Sequence, residues 1–279
     1  MSCMKQHELG LAGLALLRNR LVGDEKTTRE VLNEIDRLTK KPKNTSSSTS
    51  KVKAYSVIAG YEAWAATYDN IPNLLIKIEE PVVKSLLRRF SPGRALDAAC
   101  GTGRYSKFLH TLGHEVTGVD LSPAMLRHAK TRNRKIKFIK SDLRALPLNN
   151  DNFDLVICAL VLTHFSDINQ ILTELFRVVR SGGHIIISDI HPWLVALGGQ
   201  AEFHDKAGKR GYIRNYIHWY NIYLQAFNQI GLKVLECLEP TMGQEHLKLA
   251  QTGFDLSAKT VRAALLGLPI TLVWVLEKS

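Results

Sequence analysis

The chain has 279 residues, 45% hydrophobic and 23% charged, with a formal net charge of +11. That length buries a full core, and the composition is that of a soluble globular protein, not a disordered or fibrous one. No apolar run reaches the ~20 residues that cross a bilayer, and the four cysteines form no C-x-x-C pair, so the expectation is a reduced, cytoplasmic protein with no membrane association and no structural metal.

Met1 to Lys41 reads as helical. Leu11, Leu14, Leu17 and Leu21 recur at helical spacing, and so do Val31, Leu32, Ile35 and Leu38. The apolar run Leu9 to Leu17 is a helix and not a signal peptide, because Glu8 precedes it and no small-residue cleavage site follows. Gly23-Asp24 separates two helices, with Thr27 or Thr28 capping the second. Their apolar faces need a partner, either the main domain or a second subunit in a homodimer. Lys43 to Ser50 is polar and of low complexity, which reads as a linker. The expected division is a helical extension (1–43), a linker (44–53) and one domain (54–279). Asn44-Thr45-Ser46 matches a glycosylation sequon that a cytoplasmic chain does not use.

Tyr61 to Asn70 (YEAWAATYDN) places Tyr61, Trp64, Ala65 and Tyr68 on one helical face. A core helix explains some of these residues. A lid folding over a bound cation explains Tyr61 and Tyr68, because aromatic faces attract cations; Trp64 fits either. A helix from Glu79 to Phe90 ends at the breaker Ser91-Pro92-Gly93.

The stretch Arg94 to Asp120 (RALDAACGTGRYSKFLHTLGHEVTGVD) organises the chain. An apolar strand with an acid at Asp97 meets a turn at Gly101-Thr102-Gly103, then a helix, then a strand ending in Asp120. Such a unit binds a nucleoside-like ligand over the carboxyl ends of parallel strands. A carboxylate ending the second strand suits a ribose diol. The run Gly101-Thr102-Gly103-Arg104-Tyr105-Ser106 lacks the third glycine of a dinucleotide site. Asp97 would repel a pyrophosphate and suits a cationic amino group. Asp97 and Asp120 together favour S-adenosylmethionine (SAM), which carries an ammonium, a sulfonium and a ribose.

Ser122-Pro123 starts the next helix with an N-cap and a proline at its first position. Met125 on that helix either underlies an adenine or packs ordinarily. Arg127 to Lys140 is strongly basic, a pattern usual for a solvated face and also able to attract an acidic partner; with almost no aromatic residues interleaved, it argues against nucleic acid. Ile136 to Ile139 is a strand followed by Asp142. Phe153 to Leu160 is a nearly continuous apolar run, as a strand buried on both faces requires, with Ala159 and Leu160 at its ligand end. His164, just past it, is either a general base or a histidine bonded to loop backbone. Ile168 to Arg180 reads as a helix stopped by Ser181-Gly182-Gly183, before the strand His184 to Ser188. Cys100, Cys158 and Cys237 sit in or beside strands and read as small buried groups.

These motifs resemble class I SAM-dependent methyltransferases. The resemblance runs from about Tyr61 to Pro192. It rests on Arg94–Asp120, on Ser141-Asp142-Leu143 with Leu146-Pro147-Leu148, on Asn152 to Ile157, and on Glu174 to Gly183. It implies cofactor contacts from Tyr61, Tyr68, Asp97, Ala99, Gly101, Gly103, Asp120, Leu121, Met125, Asp142, Leu143, Ala159 and Leu160. In that reading Asp142 takes the adenine amino group and the Leu143 N–H meets a ring nitrogen. Ala99 stands where the family often has glycine.

His191-Pro192-Trp193 forms a corner facing the acceptor, so His191 is the better base candidate. Leu194 to Asn215 lacks periodicity and forms a cap. Tyr216 to Ile230 reads as a helix with Trp219, Tyr223 and Phe227 on one stripe; Tyr216 and His218, projecting elsewhere, join Trp193 as candidate acceptor contacts. Leu232 to Leu238 is a strand, Gln244 to Leu266 is helical, and Thr271 to Leu276 is a final antiparallel strand. The expected fold is α/β: a seven-stranded, doubly wound, Rossmann-like sheet with a helical N-terminal extension and a small cap after strand five. The resemblance implies strand order 3-2-1-4-5-7-6. The expected activity is methylation of an O, N or C atom of a small-molecule acceptor, such as a secondary metabolite. The charge favours an RNA or protein methyltransferase as the alternative; a SAM-binding protein without turnover is another, and a nicotinamide oxidoreductase is the most distant.

Overall fold

The structure is a computed structural model that describes residues 3–40 and 52–279. The sequon and nearly all of the expected linker lie outside the described residues. In chain order the elements are α1 (Cys3–Asn19), α2 (Glu25–Lys40), β1 (Lys53–Tyr55), α3 (Val57–Trp64), α4 (Leu74–Leu87), β2 (Arg94–Ala98), α5 (Arg104–Thr111), β3 (Glu115–Asp120), α6 (Pro123–Arg132), β4 (Lys137–Lys140), β5 (Phe153–Ala159), α7 (Asn169–Val178), β6 (Val179–Ile190), α8 (Pro192–Ala196), β7 (Ala201–His204), β8 (Arg210–Ile213), α9 (Tyr220–Ile230), β9 (Leu232–Leu238), α10 (Leu247–Gln251), α11 (Ala258–Leu265) and β10 (Thr271–Lys278). The described residues form two compact units, one of residues 3–40, 72–78 and 241–269, the other of residues 52–71, 79–240 and 270–279. The unit that holds the N-terminal helices therefore also takes in a late segment that the expected division left in the main domain.

The larger unit is built on a seven-stranded sheet in the order β4-β3-β2-β5-β6-β10-β9. Strands β4 to β6 are parallel, and β10 runs antiparallel between β6 and β9. This is the order that the resemblance implied. Strand β5 is apolar along nearly its whole length, and β2 is buried from Ala95 to Ala98, because both faces are covered. On one face Leu96, Val156 and Ile187 pack with Leu172 of α7 and Phe227 of α9. On the other, Ala95, Leu155, Ile157 and Ile186 pack with Leu87 of α4 and Leu109 of α5. Each such aliphatic side chain contributes about 1.5–3 kcal/mol on burial.

A second sheet has three strands, β1-β8-β7. The cap folds as the hairpin β7–β8, and β1 adds to it in parallel, pairing Lys53 to Tyr55 with Gly211 to Ile213. The segment leading into α3 is therefore a strand of the cap sheet from Lys53, where the sequence read as linker.

Several boundaries differ from the sequence reading. Helix α3 starts at Val57, where Ser56 caps it, and ends at Trp64, so Tyr68 lies in the following turns. Helix α4 starts at Leu74, with Asn73 Oδ1 accepting from Leu75 N at 2.9 Å. Ser181 to Gly183 lies within β6, at a register shift against β5, and does not end a helix. Helix α9 starts only at Tyr220; Tyr223 and Phe227 are core, whereas Trp219 is 46% exposed. Cys100 and Cys158 are buried, but Cys237 is exposed.

In the smaller unit α1 and α2 pack on α11. Here α1 buries Leu11, Ala12 and Ala15 and leaves Leu17 exposed, and Leu21, past the end of the helix, is exposed as well. Asp24, not Thr27 or Thr28, caps α2: its carboxylate accepts from Thr27 N at 2.7 Å and from Thr27 Oγ1 at 2.6 Å. The expected 244–266 helix is broken into a short 3-10 turn, α10 and α11. Glu34 accepts from Ser257 N at 2.8 Å at the start of α11. Arg18 donates to the carbonyls of Ala264 and Leu266, both at 2.8 Å, at its end. An acid at the first turn and a base at the last satisfy orphan backbone groups and oppose the helix dipole. The N-terminal helices thus find a partner within their own chain.

Candidate functional site

The chain reverses its lateral direction between β2 and β5, so a crevice opens at their carboxyl ends. Both loops there have unusual backbone. After β2, Ala99 (φ 60°), Gly101 (φ 54°) and Gly103 (φ 80°) are left-handed; after β5, Leu160 is too (φ 54°). A non-glycine residue in that region is uncommon, and such residues gather at binding sites. Ala99 marks a position whose backbone favours glycine, which explains the family's preference there. A side chain at Gly101 would meet nothing within 4 Å, so this loop presents bare backbone; a Cβ at Gly103 would stand 3.1 Å from Ala129 Cβ, which brings α5 and α6 together.

Two carboxylates frame the loop. Asp97, 2% exposed, accepts from Ser106 Oγ at 2.6 Å, and burial raises its pKa to about 6. Asp120 accepts from Gly101 N through Oδ2 and from Ser122 N through Oδ1, each at 2.8 Å. Burial raises the Asp120 pKa while these N–H donors oppose the rise. Each Asp120 oxygen takes one backbone donor here and has a second lone pair for a hydroxyl. Below them Glu79, fully buried, accepts from Ser188 Oγ at 2.6 Å, from Tyr105 OH at 2.6 Å and from Arg104 at 3.2 Å. A crevice lined with acids beside bare backbone fits a cationic nucleoside such as SAM and repels a pyrophosphate.

Helix α3 and the turns after it cover this edge. Tyr61 and Tyr68 pack against Ala124 and Met125, and Trp64 stacks between Tyr61 (5.8 Å) and Phe203 of β7 (5.4 Å). Polar ties fasten the same segment. Glu62 accepts from Ser122 Oγ at 2.9 Å and Ala124 N at 3.0 Å, capping α6, and these bonds lower its pKa. Asp69 accepts from Thr102 Oγ1 at 3.0 Å and pairs with Arg132. Met125, 1% exposed, is covered by this packing. Two hollows, of about 230 and 150 Å³, lie elsewhere. One is lined by Ala66, Asn70 and His128 on the outer side of the turns, the other by Arg94, Glu115 and Phe153 at the amino ends of the strands. Neither contains an acid of the crevice.

Residues 96–187 match the family described as methyltransferase domain. The chain carries a class I SAM-dependent methyltransferase domain. It is similar to a malonyl-[acyl-carrier protein] O-methyltransferase of Pseudescherichia vulneris, 34% identical over 155 residues that cover 56% of this chain and 59% of that protein. It is also similar to a demethylmenaquinone methyltransferase of Thermus thermophilus, 36% identical over 108 residues that cover 37% of this chain and 49% of that one. The chain spans about half the length of these curated relatives. A solved SAM-dependent methyltransferase of Mesorhizobium loti shares the fold, with a TM-score of 0.57 at 21% identity, covering 74% of this chain and all of that one.

Within the methyltransferase domain, the other sequence-derived candidates divide clearly. Leu121 and Ser122 follow Asp120, and Ser122 caps α6 as expected, with Oγ accepting from Met125 N at 3.2 Å. Ala159 pairs with Ser188 at the end of β5. Asp142 is committed to Arg144, which donates to both carboxylate oxygens at 2.7–3.3 Å and lowers the acid's pKa. An adenine contact through Asp142 requires Arg144 to swing aside; Leu143, its neighbour, is buried.

The two histidine base candidates sit differently. His191 caps α8, its Nδ1 accepting from Trp193 N at 3.4 Å. Its Nε2 meets Tyr220 OH at 2.9 Å and Glu239 Oε1 at 3.0 Å, and Tyr220 OH donates to the same Glu239 oxygen. Both ring nitrogens are thereby occupied, and Trp193 packs near the ring at 6.4 Å. His164 instead meets Tyr61 OH at 2.8 Å through Nε2, and burial lowers its pKa. His218 is held by the Phe165 carbonyl at 2.8 Å and packs edge-on against Tyr223, a core position. Tyr216 donates its backbone N–H to the Thr163 carbonyl at 2.6 Å and lies under the Arg214 guanidinium.

Sequence reading passed over Glu62, Asp69, Glu79 and Asn215. Asp69 stands directly after Tyr68, and Glu62 directly after Tyr61; acids at those places within an aromatic run were a readable signal. Glu79 and Asn215 carried none. It also passed over Asp189, whose buried carboxylate accepts from Thr163 N at 2.8 Å, Thr163 Oγ1 at 3.0 Å and Ile190 N at 2.8 Å. That carboxylate fixes the turn that carries His164.

Proposed function

We propose that the chain transfers a methyl group from SAM to a small-molecule acceptor. The observation that carries this reading is the pair Asp97 and Asp120, set on either side of bare backbone at Gly101. When bound, SAM supplies a methyl group made electrophilic by its sulfonium. Asp97 holds the ammonium of the methionine end; burial raises its pKa to about 6, and a bound cation opposes that rise by favouring the ionised form. Asp120 holds the ribose hydroxyls on the lone pairs its two backbone donors leave. Tyr61 and Tyr68 offer ring faces to the positive charge, an attraction of about 0.5–2 kcal/mol. Leu143 N–H, and Asp142 once Arg144 moves, meet the adenine, with Met125 beneath it.

Helix α3 opens for entry and then excludes water, so that the residues around the crevice hold the acceptor at attacking distance. The relatives, a malonyl-[acyl-carrier protein] O-methyltransferase and a demethylmenaquinone methyltransferase, suggest acyl-carrier thioesters and quinones, and those two classes are the first acceptors to offer. The test is formation of S-adenosylhomocysteine from methyl-labelled SAM, with malonyl-pantetheine and methylhydroquinone as probes. Acceptor-dependent product supports the reading. Cofactor bound with no label transferred to either probe, or to any acceptor of a wider panel, would instead identify a SAM-binding protein without turnover.

A further inference from the structure

The wall between the lid and the cap carries hydrogen-bond acceptors. His164 Nδ1 lies 3.3 Å from the Arg214 carbonyl oxygen. A carbonyl only accepts, so Nδ1 bears the hydrogen and Nε2 bears the lone pair. Tyr61 OH, 2.8 Å from Nε2, therefore donates to it. Its hydrogen is engaged, and what the phenol oxygen presents is a lone pair. Tyr61 packs against Ala124 and Met125, on the helix that follows Asp120.

Asn215 gives a second, independent observation. Its backbone N–H donates to Gln200 Oε1 at 2.8 Å and its Nδ2 to the Gly199 carbonyl at 3.4 Å. The residue is 8% exposed, and its Oδ1 is buried with no hydrogen-bond partner. The carboxamide lies close enough to the His164 ring to oppose the fall in its pKa that burial causes. A buried acceptor left without a donor costs about 1–3 kcal/mol and calls for an explanation. The nearest cation in sequence, Arg214, lies over the Tyr216 ring at 4.9 Å, and Arg104 is paired with Glu79 and Glu80.

Two lone-pair oxygens would repel a carboxylate and satisfy a donor. On the proposed methyltransferase reading, we infer that the acceptor is an uncharged hydroxyl or amine compound that donates to Tyr61 Oη and Asn215 Oδ1, with Tyr61 and His164 relaying its proton. The balance is complete. The acceptor heteroatom bonds to the methyl carbon, and the methyl–sulfur bond breaks with its electron pair left on sulfur. The heteroatom's proton passes to Tyr61 Oη as Tyr61's own proton passes to His164 Nε2. The resulting imidazolium donates from Nε2 to Tyr61 Oη and from Nδ1 to the Arg214 carbonyl. Burial depresses the His164 pKa, so the ring gives up its proton to solvent once the lid opens.

The test is calorimetric titration of the full chain, saturated with S-adenosylhomocysteine, with methylhydroquinone and with malonyl-pantetheine. Methylhydroquinone is expected to bind about ten-fold or more tightly than malonyl-pantetheine, the worth of one matched hydrogen bond against a mismatched one. Asn215→Leu and, independently, Tyr61→Phe are each expected to weaken it about ten-fold. The nitrogen-15 shifts of His164 should report hydrogen on Nδ1 and an unprotonated, hydrogen-bond-accepting Nε2. Tighter binding of malonyl-pantetheine, no binding of methylhydroquinone, unchanged affinity in the two variants, or hydrogen on Nε2 would each overturn the inference. Failure to bind S-adenosylhomocysteine at all would count against the methyltransferase reading itself, and the His164 tautomer would still decide the relay.

Discussion

The glycine loop after β2 and the cap sheet β1-β8-β7 border the same crevice and are made in opposite ways. The loop is held by its own neighbourhood in the chain: Asp97, Gly101, Ser106, Asp120 and Ser122 lie within 26 residues and bond mostly to one another. The cap is held by distant parts: β1 pairs with residues more than 150 positions later, and Tyr61 reaches His164 across 103. A local arrangement suits a ligand common to a whole family. A long-range one can vary while the sheet stays the same, and it suits the acceptor. The lid belongs to both, since α3 follows β1 directly and lies over Asp120 and Met125.

Asp189 offers the strongest test of that division, because it joins the end of β6 to the turn bearing His164. Burial raises its pKa to about 7. The folded chain therefore binds this proton more tightly than the unfolded chain, whose aspartate titrates near 4. Its protonation favours folding in that window, and stability falls as pH rises from about 4 to 7. Asp97, raised to about 6, acts with the same sign over a narrower range. Urea unfolding at several pH values should show Asp189→Asn losing less stability than the wild type between pH 4 and 8, by roughly 2–4 kcal/mol. The amide will also mismatch one of the donors from Thr163 and Ile190, which shifts the baseline but not the slope. Parallel profiles would mean that Asp189 is not the buried acid described.

A smaller effect sharpens the loop's half of the comparison. Ala99 is left-handed (φ 60°), at a cost of about 1–2 kcal/mol for a residue with a Cβ. Glycine relieves that strain but adds freedom to the unfolded chain, worth about 0.4–1 kcal/mol. Ala99→Gly should therefore stabilise by up to about 1 kcal/mol, whereas Ala98→Gly, one residue earlier in a buried strand, should destabilise. Equal destabilisation by both would remove the strain argument.

The same contrast explains what was legible. The Gly101–Gly103 turn, the Ser122 cap and the apolar run of β5 follow from local pattern, which periodicity reports directly; strand order comes from the family resemblance and not from spacing. Three-residue β1 has no pattern of its own; its partner makes it a strand. Asn215 sits in a polar stretch where nothing distinguishes a buried amide from a solvated one. His191 looked the better base because it ends a strand at a corner, but Glu239 and Tyr220, far along the chain, occupy it. The leucines at 17 and 21 suggested a buried face, but α1 ends at Asn19 and buries Leu11, Ala12 and Ala15 instead. Tyr216 to Trp219 resembled the start of a helix, yet Tyr216 N–H goes to the Thr163 carbonyl and the helix begins only at Tyr220.

The central claim is that Asp97 and Asp120 grip one cationic nucleoside between them. Calorimetric titration of SAM into the wild type and into Asp120→Ala tests it most directly. The account predicts saturable binding of SAM by the wild type, weakened about 100-fold in the variant through loss of two charge-assisted hydrogen bonds. Equal affinity in both proteins, or binding of NAD where SAM does not bind, would contradict it.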